Sequence, residues 1–364
     1  MSKSIENYTL TILLSIGVIV LFILNIYKFM PLKAEEPSNI LYDSSTNTLY
    51  LDSLTLKQKI AQMIVAYENE DKKVLQDMFI GGIHLKTKAN KSEYIETING
   101  LQNGAIIPFF FTVDLEGCSN PFENFQIFSD ARDIKNKEEA YQLGYEHGKL
   151  LKEMGFGINF APVVDLEDNI WNCRNFNGNP DEISEKADSY IDGLQANGII
   201  ATAKHYPGKT LIVRDPHKYL VYATIEERDM LPFDKAIGDN VSAIMISHLI
   251  VNGSLDSQLK PSVTSQDLVD SLKAKFKGLI VTDEINMVGL KNYYGDDIDR
   301  MFVDVFKANN DLILDFDRDP KQINRMISVV EKAVRNNDIS KERIDHSVVK
   351  ILNAKGINVK RGFK

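Results

Sequence analysis

The sequence predicts an α/β protein: a (β/α)8 TIM-type barrel preceded by one N-terminal transmembrane helix. Three observations carry this. Eight short apolar runs of strand length alternate with amphipathic stretches of helical length, the signature of parallel strands joined by helices. Many of the runs end in carboxylates, imidazoles or a lysine, and a parallel barrel keeps its chemistry at the C-terminal ends of its strands. A charge-free apolar stretch stands apart at the start of the chain.

In chain order, residues 1–8 form a short tail. Residues 9–26 carry no charge and are mostly Leu, Ile and Val. At 1.5 Å per residue they rise about 27 Å, close to the hydrocarbon thickness of a bilayer. Tyr27 and Lys28 follow as interface anchors, so 9–28 reads as an uncleaved anchor in the lipid bilayer. A signal peptide would have a shorter apolar region and a small-residue cleavage site. Lys3 and Glu6 precede the span while Lys28 and Lys33 follow it, a nearly balanced pattern. A short tail before one span usually leaves the large domain outside. The expected location is therefore the cell membrane, single-pass, with the domain extracytoplasmic. Residues 29–50 are polar and read as a linker or wrapping segment, and 51–364 as the barrel.

The eight runs are 62–67, 81–85, 108–114, 158–165, 199–205, 243–248, 278–283 and 311–315, with helical patterns such as 137–154, 184–197, 265–275 and 321–336 between or after them. An open doubly wound sheet is the structural rival, but no Gly-rich phosphate loop follows any strand. A chain of 364 residues, 44% of them hydrophobic, is long enough for one barrel, which needs about 250 residues. The net charge of −9, with no basic stripe bearing interleaved aromatics, argues against a nucleic-acid partner. Cys118 and Cys173 are the two cysteines and form neither a disulfide framework nor a metal-ligand spacing. No metal-ligand cluster appears, so no cofactor is implied.

The polar strand ends are Asp114 with Glu116, Asp165, Lys204 with His205, His248, and Asp283 with Glu284. Helix N-capping competes for an Asp at any one of them; the recurrence across strands favours a shared site. The sharpest segment is Lys204-His205-Tyr206-Pro207-Gly208, directly after a buried-strand run, with Asp215-Pro216-His217 close behind. A Pro-Gly turn with solvated charges is its bland explanation.

Other segments stand in order around it. They are Leu54-Thr55-Leu56-Lys57-Gln58-Lys59-Ile60-Ala61-Gln62-Met63, Val113-Asp114-Leu115-Glu116-Gly117, Asn159-Phe160-Ala161-Pro162-Val163-Val164-Asp165, Arg174-Asn175-Phe176 and Val281-Thr282-Asp283-Glu284-Ile285-Asn286-Met287. Together they resemble the family 3 glycoside hydrolases, in the single-domain β-N-acetylglucosaminidase branch, from about Leu54 to the C-terminus. The resemblance implies a barrel and a retaining mechanism. Asp283 takes the nucleophile's role and His217 the acid/base role, with Asp215 orienting the imidazole. It also implies that Asp114, Arg174, Lys204 and His205 hold the sugar, and that His248 lines the site in a structural capacity. The implied function is a membrane-anchored exo-β-N-acetylhexosaminidase acting on terminal N-acetylglucosamine of cell-wall fragments or other glycans. The alternatives are a β-glycoside phosphorylase or β-glucosidase of the same family, and a catalytically retired sugar-binding barrel.

Departures from the family pattern cluster in one loop. Cys118 stands where the family has a second glycine, and Ser119-Asn120-Pro121-Phe122 replaces an arginine-bearing stretch. Arg132 is a candidate replacement that nothing in the spacing places. Lys209-Thr210 replaces the usual His-Gly after Pro207-Gly208. Cys118 and Cys173 both follow strands, so an extracytoplasmic domain would allow a bridge between them across the site's rim.

Overall fold

The computed structural model describes residues 39–362 apart from 213 and 296. Eight strands carry the architecture: β1 (Ile64–Tyr67), β2 (Gly82–His84), β3 (Phe110–Val113), β4 (Ile158–Asn159), β5 (Ile200–Tyr206), β6 (Ala243–Ile246), β7 (Leu279–Thr282) and β8 (Ile313–Asp315). Their order is β7-β6-β5-β4-β3-β2-β1-β8, and every neighbouring pair is parallel. The ring closes through a parallel bridge between Val281 and Leu312, where the Thr282 N–H donates to the Leu312 carbonyl at 2.9 Å. Each of the eight apolar runs coincides with one barrel strand, β5 extending one residue past its run to Tyr206. They read as continuous hydrophobic segments because a strand of a parallel barrel is covered on both faces.

Helices fill the connections: α1 (Leu56–Gln62), α2 (Lys72–Asp77), α3 (Lys91–Gln102), α4 (Lys137–Met154), α5 (Pro180–Gln195), α6 (Glu227–Gly238), α7 (Gln266–Lys275), α8 (Val288–Tyr294), α9 (Ile298–Lys307), α10 (Pro320–Arg335) and α11 (Lys341–Ala354). Local sequence sets their ends. Asn136 caps α4 by accepting from the Glu139 N–H, and Asn179 forms a capping box with Glu182 at the start of α5. The α4–α5 contact depends on Gly144, where a Cβ would lie 2.1 Å from the Tyr190 carbonyl oxygen. Any larger residue would pry the two helices apart and disturb the packing beneath β4.

Outside the barrel, Tyr42–Asp43 pairs antiparallel with Thr48–Tyr50, which pairs in parallel with Asn358–Lys360. A second small pair joins Tyr222–Ile225 to Ile250–Gly253.

One part of the expected fold class is corrected. The predicted transmembrane helix over 9–28 lies outside the described residues. Among the described residues no helix is long and apolar enough to cross a membrane. The described residues therefore form a nearly closed eight-stranded (β/α)8 barrel, and nothing among them supports the membrane helix. The apolar stretch was read from hydropathy and length alone.

Candidate active site

At the C-terminal ends of the strands a cavity of about 670 Å³ opens, lined by Asp114, Arg174, Lys204, His205, His217 and Asp283 among others. Asp215 joins them through His217, whose Nδ1 lies 2.8 Å from Asp215 Oδ1. Seven residues spread over 170 positions of sequence thus meet at one place because parallel strands deliver their ends to the same rim.

The floor is an ion cluster. Lys204, buried at the end of β5, lies 2.6 Å from Asp114 Oδ1 and also pairs with Glu116. Arg174 grips the same Glu116 with two parallel bonds, Nε to Oε2 at 2.5 Å and Nη2 to Oε1 at 2.8 Å. Burial works against the Glu116 charge, but Lys204 and Arg174 outweigh it and hold the carboxyl well below the usual range. For Lys204, burial opposes the charge while Asp114 and Glu116 restore it, leaving its pKa raised. Both cations are already paired, so their donors are held in fixed directions towards the cavity.

Asp165 shapes the next wall. Its Oδ2 accepts from the His205 N–H at 3.2 Å and lies 3.0 Å from His205 Nδ1, while its Oδ1 accepts from the Thr210 N–H at 2.9 Å. One buried carboxylate therefore sets both the imidazole and the turn that follows. Lys209 points away from the cavity's chemistry, donating to the Thr224 carbonyl at 2.8 Å and pairing with Asp229 at 3.0 Å.

Asp283 follows β7 and is surrounded by imidazoles. Burial raises its pKa, but His248, His205 and His217, with the Glu284 N–H at 2.8 Å, bring it below the ordinary value. The balance favours the charged carboxylate. His248 is buried beside it, its Nε2 donating to the Glu284 carbonyl at 2.7 Å. Glu284 differs: burial pushes its carboxyl up to about 7, despite bonds from Asn286 and the Phe316 N–H. Two adjacent acids thus hold opposite protonation tendencies.

The loop bearing Asp215 and His217 is more open, with the His217 side chain 55% exposed. Asp215 stays below its ordinary pKa because the His217 bonds outweigh its partial burial. The loop is pinned to α8, where the Val288 N–H donates to the His217 carbonyl at 3.3 Å. Gly289 permits that approach: a Cβ there would lie 2.4 Å from the Tyr219 carbonyl oxygen and 3.0 Å from that of Pro216.

The cavity is also lined by His84 and Trp171, which the sequence did not single out, and by Glu116 and Glu284, which it marked only as polar strand ends. His84 ends β2 but lies in a short apolar run, and Trp171 sits in an irregular loop. Cys118 and Cys173 do form a disulfide, with Cα atoms 5.9 Å apart, and both line the cavity. Arg132 donates to the Asn172 carbonyl at 2.6 Å, so it braces the loop carrying Trp171.

Comparison with known proteins follows the same outline. Residues 55–354 match the family described as "Glycosyl hydrolase family 3 N terminal domain". A Cellulomonas fimi protein named beta-N-acetylglucosaminidase/beta-glucosidase is 26% identical over 304 residues, covering 76% of this chain and 52% of its own length. A beta-hexosaminidase of Xylella fastidiosa (strain M12) is 26% identical over 241 residues, covering 61% of this chain and 72% of its own. The solved family 3 β-N-acetylglucosaminidase of Paenibacillus sp. str. FPU-7 superposes with a TM-score of 0.76 at 26% identity, over 83% of this chain and 62% of that one. The chain thus spans about half the length of the Cellulomonas relative.

Proposed function

The chain belongs to glycosyl hydrolase family 3, and from that premise we propose that it is a retaining exo-β-N-acetylhexosaminidase removing terminal N-acetylglucosamine from cell-wall fragments or other glycans. The observation that carries this reading is the single cavity shared by Asp283 and His217 over a floor of paired Lys204, Arg174, Asp114 and Glu116. The names of the Cellulomonas, Xylella and Paenibacillus proteins support the substrate class.

In the first step Asp283 attacks the anomeric carbon while the His217 imidazolium gives its Nε2 proton to the departing oxygen. The glycosidic bond breaks as the Asp283–sugar ester forms. In the second step the now neutral His217 takes a proton from water, and the water oxygen displaces Asp283. Asp215, 2.8 Å from Nδ1, holds the ring and stabilises its charged form. The buried floor offers fixed donors and an acceptor to sugar hydroxyls, the mixture a polyol requires.

The Cys118–Cys173 bridge supports an extracytoplasmic location, since disulfides persist in oxidising compartments. Intact mass of protein purified without reductant should show no free thiol; two free thiols would remove that support.

The deciding experiment is release of the aryl group from an aryl N-acetyl-β-glucosaminide by the full chain, with and without phosphate. The reading expects turnover that phosphate does not change. Turnover that requires phosphate would make the chain a phosphorylase. Sugar binding without turnover would make it a binding barrel.

A further inference from the structure

Trp171 is the sole tryptophan of the chain, and it stands 38% exposed on the cavity wall. An irregular loop would ordinarily let so large a ring wander or fold away. This loop is instead tightly built. The Asp168 carboxylate accepts four backbone N–H groups: Ile170 at 3.3 Å and Trp171 at 2.9 Å on Oδ1, Cys173 and Arg174 at 3.0 Å each on Oδ2. The neighbouring disulfide ties the loop across to Cys118, and Arg132 holds Asn172 from outside. Three independent fastenings surround one exposed indole.

Its orientation is defined as well. The Arg174 guanidinium lies 4.7 Å from the indole centroid, and Arg174 is itself locked onto Glu116. The His217 ring meets the indole edge to face, with centroids 5.7 Å apart and an interplanar angle of 88°. The indole therefore touches both the deep ion cluster and the proton-donating imidazole. A group that protonates the leaving oxygen must stand at the junction between the cleaved sugar and its leaving group. The sugar attacked by Asp283 occupies the polar floor. An aromatic surface beside His217, nearer the opening, borders what lies on the other side of the bond.

We propose that Trp171 is the platform for the leaving group: its indole stacks on the apolar face of the first sugar ring, or of an aryl group, beyond the scissile bond. The proposal rests on the hydrolase reading above and adds substrate class to it. The favoured substrates are oligosaccharides or aryl glycosides whose leaving group presents a flat apolar face. Fixing the indole in advance by the Asp168 bonds and the disulfide removes ordering cost at binding, and stacking supplies specificity without polar contacts.

The test compares two substrates of the full chain: the β-1,4-linked disaccharide of N-acetylglucosamine, and N-acetyl-β-glucosaminyl fluoride, whose leaving group has no ring to stack. In Trp171→Ala, the ratio of kcat/KM for disaccharide over fluoride should fall about tenfold, mainly through KM for the disaccharide. Trp171→Phe should restore the ratio to within about threefold. Equal losses on both substrates would overturn the platform while leaving the hydrolase reading in place. No turnover of either substrate by the parent chain would remove the hydrolase reading and the platform with it. The lone indole gives a second readout. In Asp283→Asn, its emission should shift more with the disaccharide than with free N-acetylglucosamine; equal shifts overturn the proposal.

Discussion

The two ends of the barrel both bury charge, yet they use it differently. At the N-terminal end Asp311 is fully buried. It accepts from the Ile280 N–H at 3.0 Å, from Ser347 Oγ at 2.6 Å and from Lys350 Nζ at 2.5 Å, with Lys273 at 3.7 Å. Burial opposes its charge, and Lys350 and Lys273 overcome that to hold its pKa low. At the C-terminal end Asp283 is held low by a comparable balance, but its carboxylate accepts only the Glu284 N–H among the described residues. Asp311 spends its acceptor capacity on its own chain and closes the bottom of the barrel. Asp283 keeps capacity facing a cavity. A buried, ionised carboxylate marks a reactive centre only when its remaining lone pairs meet open space rather than another element of the fold.

Substitutions at the two ends should therefore separate activity from stability. Asp283→Asn should lower kcat on an aryl N-acetyl-β-glucosaminide by about a thousandfold or more, with little movement of the thermal midpoint. His217→Ala should cost about a hundredfold or more in kcat/KM and abolish the limb of the pH profile that belongs to proton donation. Asp311→Ala should do the reverse. It removes the fully buried carboxylate that pairs with the part-buried Lys350 and accepts from the Ile280 N–H, and should cost about 3 kcal/mol of stability, read by chemical denaturation, while the folded fraction keeps its kcat. If Asp311→Ala lost activity without losing stability, the contrast between the two ends would collapse.

Two smaller effects sharpen it. Gly289→Ala would set a methyl against the Tyr219 carbonyl and displace the His217 loop; about a tenfold loss of kcat/KM with a near-normal denaturation midpoint is expected. Glu284 supplies a pH signature. Burial raises its folded pKa to about 7, above the unfolded value. Its contribution to stability is thus fully present below the unfolded pKa and is lost as pH rises through about 7. Glu284→Gln should flatten the decline in denaturation midpoint between pH 5 and 8; an unaltered slope would refute this account of the residue.

The barrel was legible because eight strand-length runs, each buried on both faces, leave a periodic trace that needs no tertiary information. Four of the residues that line the cavity were legible because strand ends are fixed in sequence: Asp114, Lys204, His205 and Asp283 each close an apolar run, whereas Asp215 and His217 lie in a loop and took catalytic roles only through the resemblance. Trp171 and Asp168 were not, since their roles arise only when a loop without periodicity folds around a carboxylate that collects four N–H groups. The pairing of Arg174 with Glu116 was likewise invisible. It joins the loop after β4 to the loop after β3, and only barrel closure brings those together. Hydropathy placed an apolar span over 9–28, a segment outside the described residues, and no described helix supports a membrane crossing.

The central claim is that Asp283 forms a covalent bond to the sugar during turnover. The most direct measurement is inactivation of the full chain with a 5-fluoro-N-acetylglucosaminyl fluoride, followed by intact mass and peptide mapping. The account predicts one added sugar, released on prolonged incubation in water and located on the peptide containing Asp283. A label on any other residue, or turnover of the aryl glycoside with inversion at the anomeric carbon, would contradict it.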